Sequence, residues 1–174
     1  MQNAAKTVAF YAISTAKERC LRSLRDLAGG QDFACCQEEE TLPNMVMSHR
    51  STMRRRLERV DMSLQENKVT NLALAARGLD GLILEPGQTL SFWRRVGEPS
   101  ASRGFLPGLT IHSGKPGADV GGGLCQMANL LHWLALHSAL TVTELHHHTD
   151  ALFPDSGRRV PFGTGTSVFY NNVD

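Results

Sequence analysis

Residues 121–126 read Gly121-Gly122-Gly123-Leu124-Cys125-Gln126, and an apolar helical pattern begins directly behind them. Three consecutive glycines have no packing use. They give a backbone that takes φ > 0 and lets another molecule approach closely. Leu124 to Leu140 reads as the strongest helix of the chain, with Leu124, Met127, Leu130, Leu131, Leu134, Ala135 and Leu136 on one broad apolar face. A cysteine where such a loop turns into a helix sits among free backbone N–H groups, and the helix dipole there favours its thiolate. The same N–H groups suit an oxyanion. Asn129 and His132 follow Cys125 by one and two turns and share its face.

Downstream, Val142 to His148 reads as a strand carrying His146, His147 and His148. Alternation puts His146 and His148 on one face and His147 on the other. Covalent acyl transfer by cysteine needs a thiolate, a histidine partner and a group that orients the histidine. Glu144 lies two residues before His146 on the same face, and Asp150, Asp155, Ser167, Asn171 and Asn172 are further orienting candidates among which spacing does not choose. Gln126 has two roles open to it: an amide donor to an oxyanion, or an orienting side chain. Three other readings stand beside acyl transfer. Cys125 is a buried structural thiol; the glycine nest holds a carboxylate without turnover; or Cys125, His146 and His148 bind Zn²⁺. For the histidine triplet, a polar edge strand is the plain alternative.

Upstream, an apolar pattern through Val8, Ala12, Ala16, Leu21, Leu24 and Leu27 predicts a helix that Gly29-Gly30 ends. Gln31 to Pro43 is acidic and irregular, a surface linker. Arg50, Arg54, Arg55, Arg56 and Arg59 are interleaved with Glu58 and Asp61, which favours a solvated helix face over a phosphate patch. Ser63 to Leu79 is expected to be helical, with an apolar stripe at Val69, Leu72, Ala73, Ala76 and Leu79. Asn67 and Asn71 are poor helix-interior residues unless their amides bond something, so they are expected to fix a neighbouring loop. Leu82-Ile83-Leu84 and Thr89 to Trp93 are expected as strands of a hairpin around Pro86-Gly87, and Leu109-Thr110-Ile111 as another strand. Gly114 to Gly123 then forms a long loop, and Thr164 to Tyr170 a last strand. The expected fold class is α+β: a central Cys-bearing helix packed on an antiparallel sheet, with N-terminal helices.

A chain of 174 residues with 41% hydrophobic content is long enough for one domain with a real core. A net charge of +1 and 6% aromatic content give no footprint for nucleic acid. No apolar run reaches the length of a membrane span, and the first residues lack a signal-peptide pattern, so the chain as written reads as cytoplasmic. Cys20, Cys35, Cys36 and Cys125 fit neither a zinc pattern nor a secreted disulfide framework, consistent with reduced thiols.

The chain resembles the VanW family, named from its occurrence in glycopeptide (vancomycin) resistance clusters. The likeness is carried by residues 64–72, Leu-Gln-Glu-Asn-Lys-Val-Thr-Asn-Leu, by residues 86–93, Pro-Gly-Gln-Thr-Leu-Ser-Phe-Trp, and above all by residues 121–127, Gly-Gly-Gly-Leu-Cys-Gln-Met. Thr143-Glu144 to His148 and Phe153-Pro154 extend it. The resemblance implies peptidoglycan remodelling by cysteine-dependent acyl transfer of L,D-transpeptidase type. Its substrate is then a cell-wall stem peptide or its precursor, with no cofactor or metal. It implies Cys125 as nucleophile and His148 as the histidine, with Gly121, Gly122, Gly123 and Gln126 at the oxyanion or substrate. It leaves Glu144, His146, Asp150 and Asn129 as orienting candidates. It divides the chain into residues 1–43, a helical segment and linker, and residues 44–174, the VanW-like part, which the family pattern suggests is cut short at its C-terminal end.

Overall fold

The computed structural model describes residues 2–54, 61–112, 115–146, 168 and 170, with the backbone alone for residues 2–12, 111–112 and 115. Helix α1 (Gln2–Ala28) ends as expected: Gly30 takes φ +59°, and the Gly29 N–H donates to the Arg25 carbonyl at 2.8 Å. Helix α2 (Met62–Ala76) starts at Asp61, whose carboxylate accepts the Ser63 N–H at 2.9 Å. A short helix α3 (Phe92–Val96) is capped by Ser91, followed by a single 3₁₀ turn, Ala101–Arg103. Strands β1 (Pro107–His112) and β2 (Lys115–Val120) pair antiparallel, with Pro107 opposite Val120 and His112 opposite Lys115. Helix α4 (Cys125–Leu136) follows directly.

The α+β class is as expected, and the element lying on the sheet is α2, packed along β1. The Cys-bearing helix enters at the end of the β1–β2 hairpin, where β2 runs into the glycine turn. Five local expectations change. Residues 115–120, expected as loop, form β2: their glycine and proline sit on a two-stranded ribbon that needs no hydrogen-bonding partner beyond β1. Residues 82–84 and 89 form no strands; Gln37 bridges Leu82 and Phe33 bridges Thr89 as single pairs. Backbone bonds there tie the 32–38 segment to residues 81–89, including Ile83 N–H to the Cys36 carbonyl and Thr89 N–H to the Asp32 carbonyl. Residues 92–93 are helical because the Ser91 hydroxyl caps the Arg94 N–H and turns the chain. Residues 141–146 carry no regular secondary structure, so the expected strand is not formed over them, and residues 50–54 are not helical. Of the expected last strand, only Val168 and Tyr170 lie within the described residues.

The core gathers Leu72 and Ala75 of α2, Phe92, Trp93 and Val96 of α3, Phe105 just before β1, Leu124 of the glycine turn, Ala128 of α4, and Val168. Trp93 packs edge-on against both Phe92 and Tyr170, with centroids 4.8 and 5.4 Å away. Burying each large aromatic side chain contributes about 2–3 kcal/mol from apolar area alone. This cluster joins three helices and the C-terminal residues around the base of the glycine turn, which fixes where Cys125 stands.

Candidate functional site

The site is assembled from the inner face of α2. Of the expected stripe of Val69, Leu72, Ala73, Ala76 and Leu79, Leu72 is buried in the core and Leu79 packs against it, Val69 and Ala76 are half-buried, and Ala73 is exposed. The buried face is Gln65, Lys68, Asn71, Leu72 and Ala75, three of the five polar. Buried polar groups are tolerated when they are hydrogen-bonded, and Asn71 is bonded on every side. Its Nδ2 donates to the Leu106 carbonyl at 2.9 Å and to the Gly122 carbonyl at 3.0 Å, while its Oδ1 accepts the Leu106 N–H at 2.8 Å. Asn67, one turn earlier, donates to the Pro107 carbonyl at 2.8 Å. Both asparagines hold the neighbouring chain, as their place in the sequence suggested.

The glycine run is packed, contrary to the expectation that it has no packing role. Gly121 and Gly123 take φ +81° and +95°, conformations that side-chain-bearing residues rarely adopt. Gly122 lies flat against Gly108 of β1, so that a Cβ on either would overlap the other's backbone. Gly121 abuts Pro99, and the aliphatic stem of Lys68 covers Gly123. Gly121 donates its N–H to the Leu106 carbonyl at 3.0 Å and Gly122 to the Asp119 carbonyl at 2.9 Å. Among the described residues, the N–H groups of Gly123 and Leu124 have no hydrogen-bond acceptor.

Cys125 is the first residue of α4 and is half-buried. Its sulfur lies 3.9 Å from the carbonyl oxygen of Val168, which brings the end of the chain beside the turn. Gln126 directs its amide away from the turn: Nε2 donates to the Ser51 hydroxyl and to the Thr52 carbonyl, both at 3.0 Å. Arg54, two residues on, chelates Glu66 of α2 with bonds of 2.8 and 2.9 Å. The 51–54 segment thus links α4 to α2. The paired Glu66 carboxylate raises the affinity of the Arg54 guanidinium for its proton, through the hydrogen bond first and charge second.

Asn129 lies one turn after Cys125, half-buried on α4. Glu144 accepts from Arg22 of α1 at 2.8 Å and meets His146 Nε2 at 2.9 Å, so this carboxylate joins the N-terminal helix to the segment before the histidines. His147, His148 and Asp150 lie outside the described residues, as do Asp155, Ser167, Asn171 and Asn172. Among the described residues no three His, Cys, Asp or Glu side chains are grouped to hold a metal ion. No helix among them is long and apolar enough to cross a membrane.

Two residues were not legible as part of the site. Gln65 is 2% exposed and its Oε1 has no hydrogen-bond partner; Lys68 is 8% exposed. They precede Asn71 at steps of three on the same helix face. Asn71 touches Gly122 and Lys68 touches Gly123, so α2 runs antiparallel to the turn. The signal was present as Gln65, Lys68 and Asn71 at helical spacing, but polar residues at that period read as a solvent face.

A family model described as "VanW like protein" matches residues 67–174, and the chain belongs to that family. It is 40% identical over 132 residues to the vancomycin B-type resistance protein VanW of Enterococcus faecalis, covering 74% of this chain and 48% of that protein. It is 28% identical over 112 residues to the uncharacterized protein YoaR of Bacillus subtilis, covering 64% of this chain and 35% of that one. The chain therefore spans less than half the length of either relative. No solved structure matches it.

Proposed function

From membership of the VanW family we propose that this chain performs cysteine-dependent acyl transfer of L,D-transpeptidase type on cell-wall stem peptides. The observation that supports this most is the placement of Cys125. It is a half-buried thiol on the first turn of α4, preceded by two residues whose N–H groups have no acceptor among the described residues. In this reading the Cys125 sulfur attacks a stem-peptide carbonyl while His148 takes the thiol proton. The N–H groups of Gly123 and Leu124 stabilise the oxyanion. Collapse of the tetrahedral adduct breaks the peptide bond, and His148 returns the proton to the leaving amine. An acceptor amine then attacks the thioester, loses its proton to His148, and expels the Cys125 thiolate. Gln126 acts by bracing the 51–54 segment between α4 and α2.

Incubating the chain with a tetrapeptide stem and an isotope-labelled amine acceptor tests the reading. Transpeptidation yields a stem carrying the acceptor, and Cys125→Ala yields none. A second reading, binding of a peptide carboxylate without turnover, is favoured by the same N–H groups of Gly123 and Leu124, which have no acceptor among the described residues. It predicts that the stem is bound, with no exchange product, and that Cys125→Ala binds as tightly as the wild type.

A further inference from the structure

Beside the C-terminal end of α2 lies a cavity of about 390 Å³, with Leu74, Val96 and Phe105 giving it apolar walls and Arg77, Arg95 and Arg103 a basic rim. Two of the three guanidiniums are fixed in place by backbone carbonyls. Arg95 donates to Gly78 at 2.9 Å and to Cys35 at 3.3 Å. Arg103 donates to Glu98 at 2.6 Å and to Val96 at 2.7 Å, and its guanidinium lies 5.4 Å from the Phe105 ring centroid. Arg77, at the C-cap of α2, is exposed, and its side chain has no hydrogen-bond partner among the described residues. Capping carbonyls explains where two of these side chains point. It does not neutralise them, because a carbonyl carries only a partial charge. Among the described residues none of the three is within salt-bridge distance of a carboxylate, whereas Arg22, Arg54 and Arg94 all are.

A guanidinium has five N–H donors. Arg95 and Arg103 each commit two to the carbonyls above, leaving donors on each for a ligand. Three positive charges on one cavity are matched poorly by a single carboxylate. They are matched well by a phosphate or diphosphate, whose tetrahedral oxygens accept from forks arriving in several directions. The volume falls within the range of small-ligand sites, and the apolar walls suit an organic group attached to the anion.

We propose that this cavity is a binding site for a phosphate-bearing ligand, with Arg77, Arg95 and Arg103 as its anion clamp. The site is independent of the acyl-transfer reading and stands if that reading fails. Calorimetric titration with inorganic pyrophosphate, inorganic phosphate and acetate tests it, at an ionic strength of about 0.05 M so that screening stays modest. One saturable site is expected, with pyrophosphate binding tighter than phosphate and acetate giving no saturation. Arg77→Gln, whose side chain supports no other contact, is expected to weaken pyrophosphate binding about tenfold, the effect of one charge-assisted hydrogen bond. Arg103→Gln is expected to weaken it at least as much. Vesicles containing phosphatidate provide a second arm. Competition with pyrophosphate assigns the phosphate to a lipid headgroup, and no competition assigns it to a soluble ester. Absence of saturable pyrophosphate binding overturns the proposal, as does binding that both arginine variants leave unchanged.

Discussion

The side chain of Asn71 and the carbonyl of Gly122 are joined by a 3.0 Å hydrogen bond that pins the middle of α2 to the turn in front of Cys125. The same amide closes a two-way bond with the backbone of Leu106, so one fully buried residue sets the spacing of helix, hairpin and turn. Replacing Asn71 by Leu keeps the branched shape and leaves the Leu106 N–H and the Gly122 carbonyl unsatisfied, while the Leu106 carbonyl keeps the Gly121 N–H. At about 1–3 kcal/mol for each buried group stranded, a loss of roughly 2–5 kcal/mol is expected. Urea unfolding followed by circular dichroism measures it; a loss under about 1 kcal/mol would mean that water replaces the amide.

Gly122→Ala is expected to destabilise by about 3 kcal/mol, since its Cβ would overlap the backbone of Gly108 and neither strand nor turn has a side chain to swing aside. Gly87→Ala is the comparison. There a Cβ meets nothing within 4 Å, and only the backbone strain of φ +89°, about 1–2 kcal/mol, is added. Equal losses at the two positions would show that strain and not close approach governs the turn.

Asp61 carries the acid dependence of α2. The Ser63 N–H that its carboxylate accepts holds the group below the usual carboxylate range. A depressed folded pKa contributes stability that is complete above the unfolded value, about 3.9, and is lost as pH falls through the folded value. Asp61→Asn keeps the capping oxygen without titrating. Its Tm is therefore expected to fall less steeply than that of the wild type as pH drops below about 4. Parallel Tm profiles would assign the acid limb to other groups.

Gln126→Ala removes both bonds to Ser51 and Thr52, and Arg54 then remains tied to Glu66 alone. Exposed bonds of this kind contribute about 0.5–1.5 kcal/mol each, so stability should drop by about 1–2 kcal/mol. Residues 48–54 should become cleavable by a protease under native conditions at least several-fold faster. Unchanged cleavage would mean that the segment is held by other contacts.

The helices were legible where the pattern is strong: Gly29-Gly30 after α1 and the apolar face of α4 were read as such, whereas Asp61, read only as a charge among the arginines, proved to be the cap of α2. The turn that holds Cys125 was legible as glycine, but its reason was not. Periodicity says nothing of Gly108, which lies far away in sequence and needs Gly122 to be bare. The inner face of α2 was misread because Gln65, Lys68 and Asn71 are polar residues serving as interior, a choice that only the neighbouring backbone explains. Short apolar runs such as Leu82 to Leu84 do not separate a strand from a bridged loop, and the Ser91 cap outweighed the alternation of Thr89 to Trp93. At the site, Cys125 was placed from sequence at the start of its helix. Glu144 meets His146, the nearer of the two histidines placed on its face.

The claim on which the functional account rests is that the Cys125 sulfur takes the acyl group. Cys20, Cys35 and Cys36 are exposed and can be replaced by Ser, leaving Cys125 as the sole thiol. Intact-protein mass spectrometry of that variant after incubation with stem peptides should reveal a covalent gain equal to the acyl donor less its leaving amine. The gain should be located on Cys125, released by hydroxylamine and lost in Cys125→Ala. An unmodified mass with every stem peptide offered, or an adduct that survives Cys125→Ala, contradicts the account.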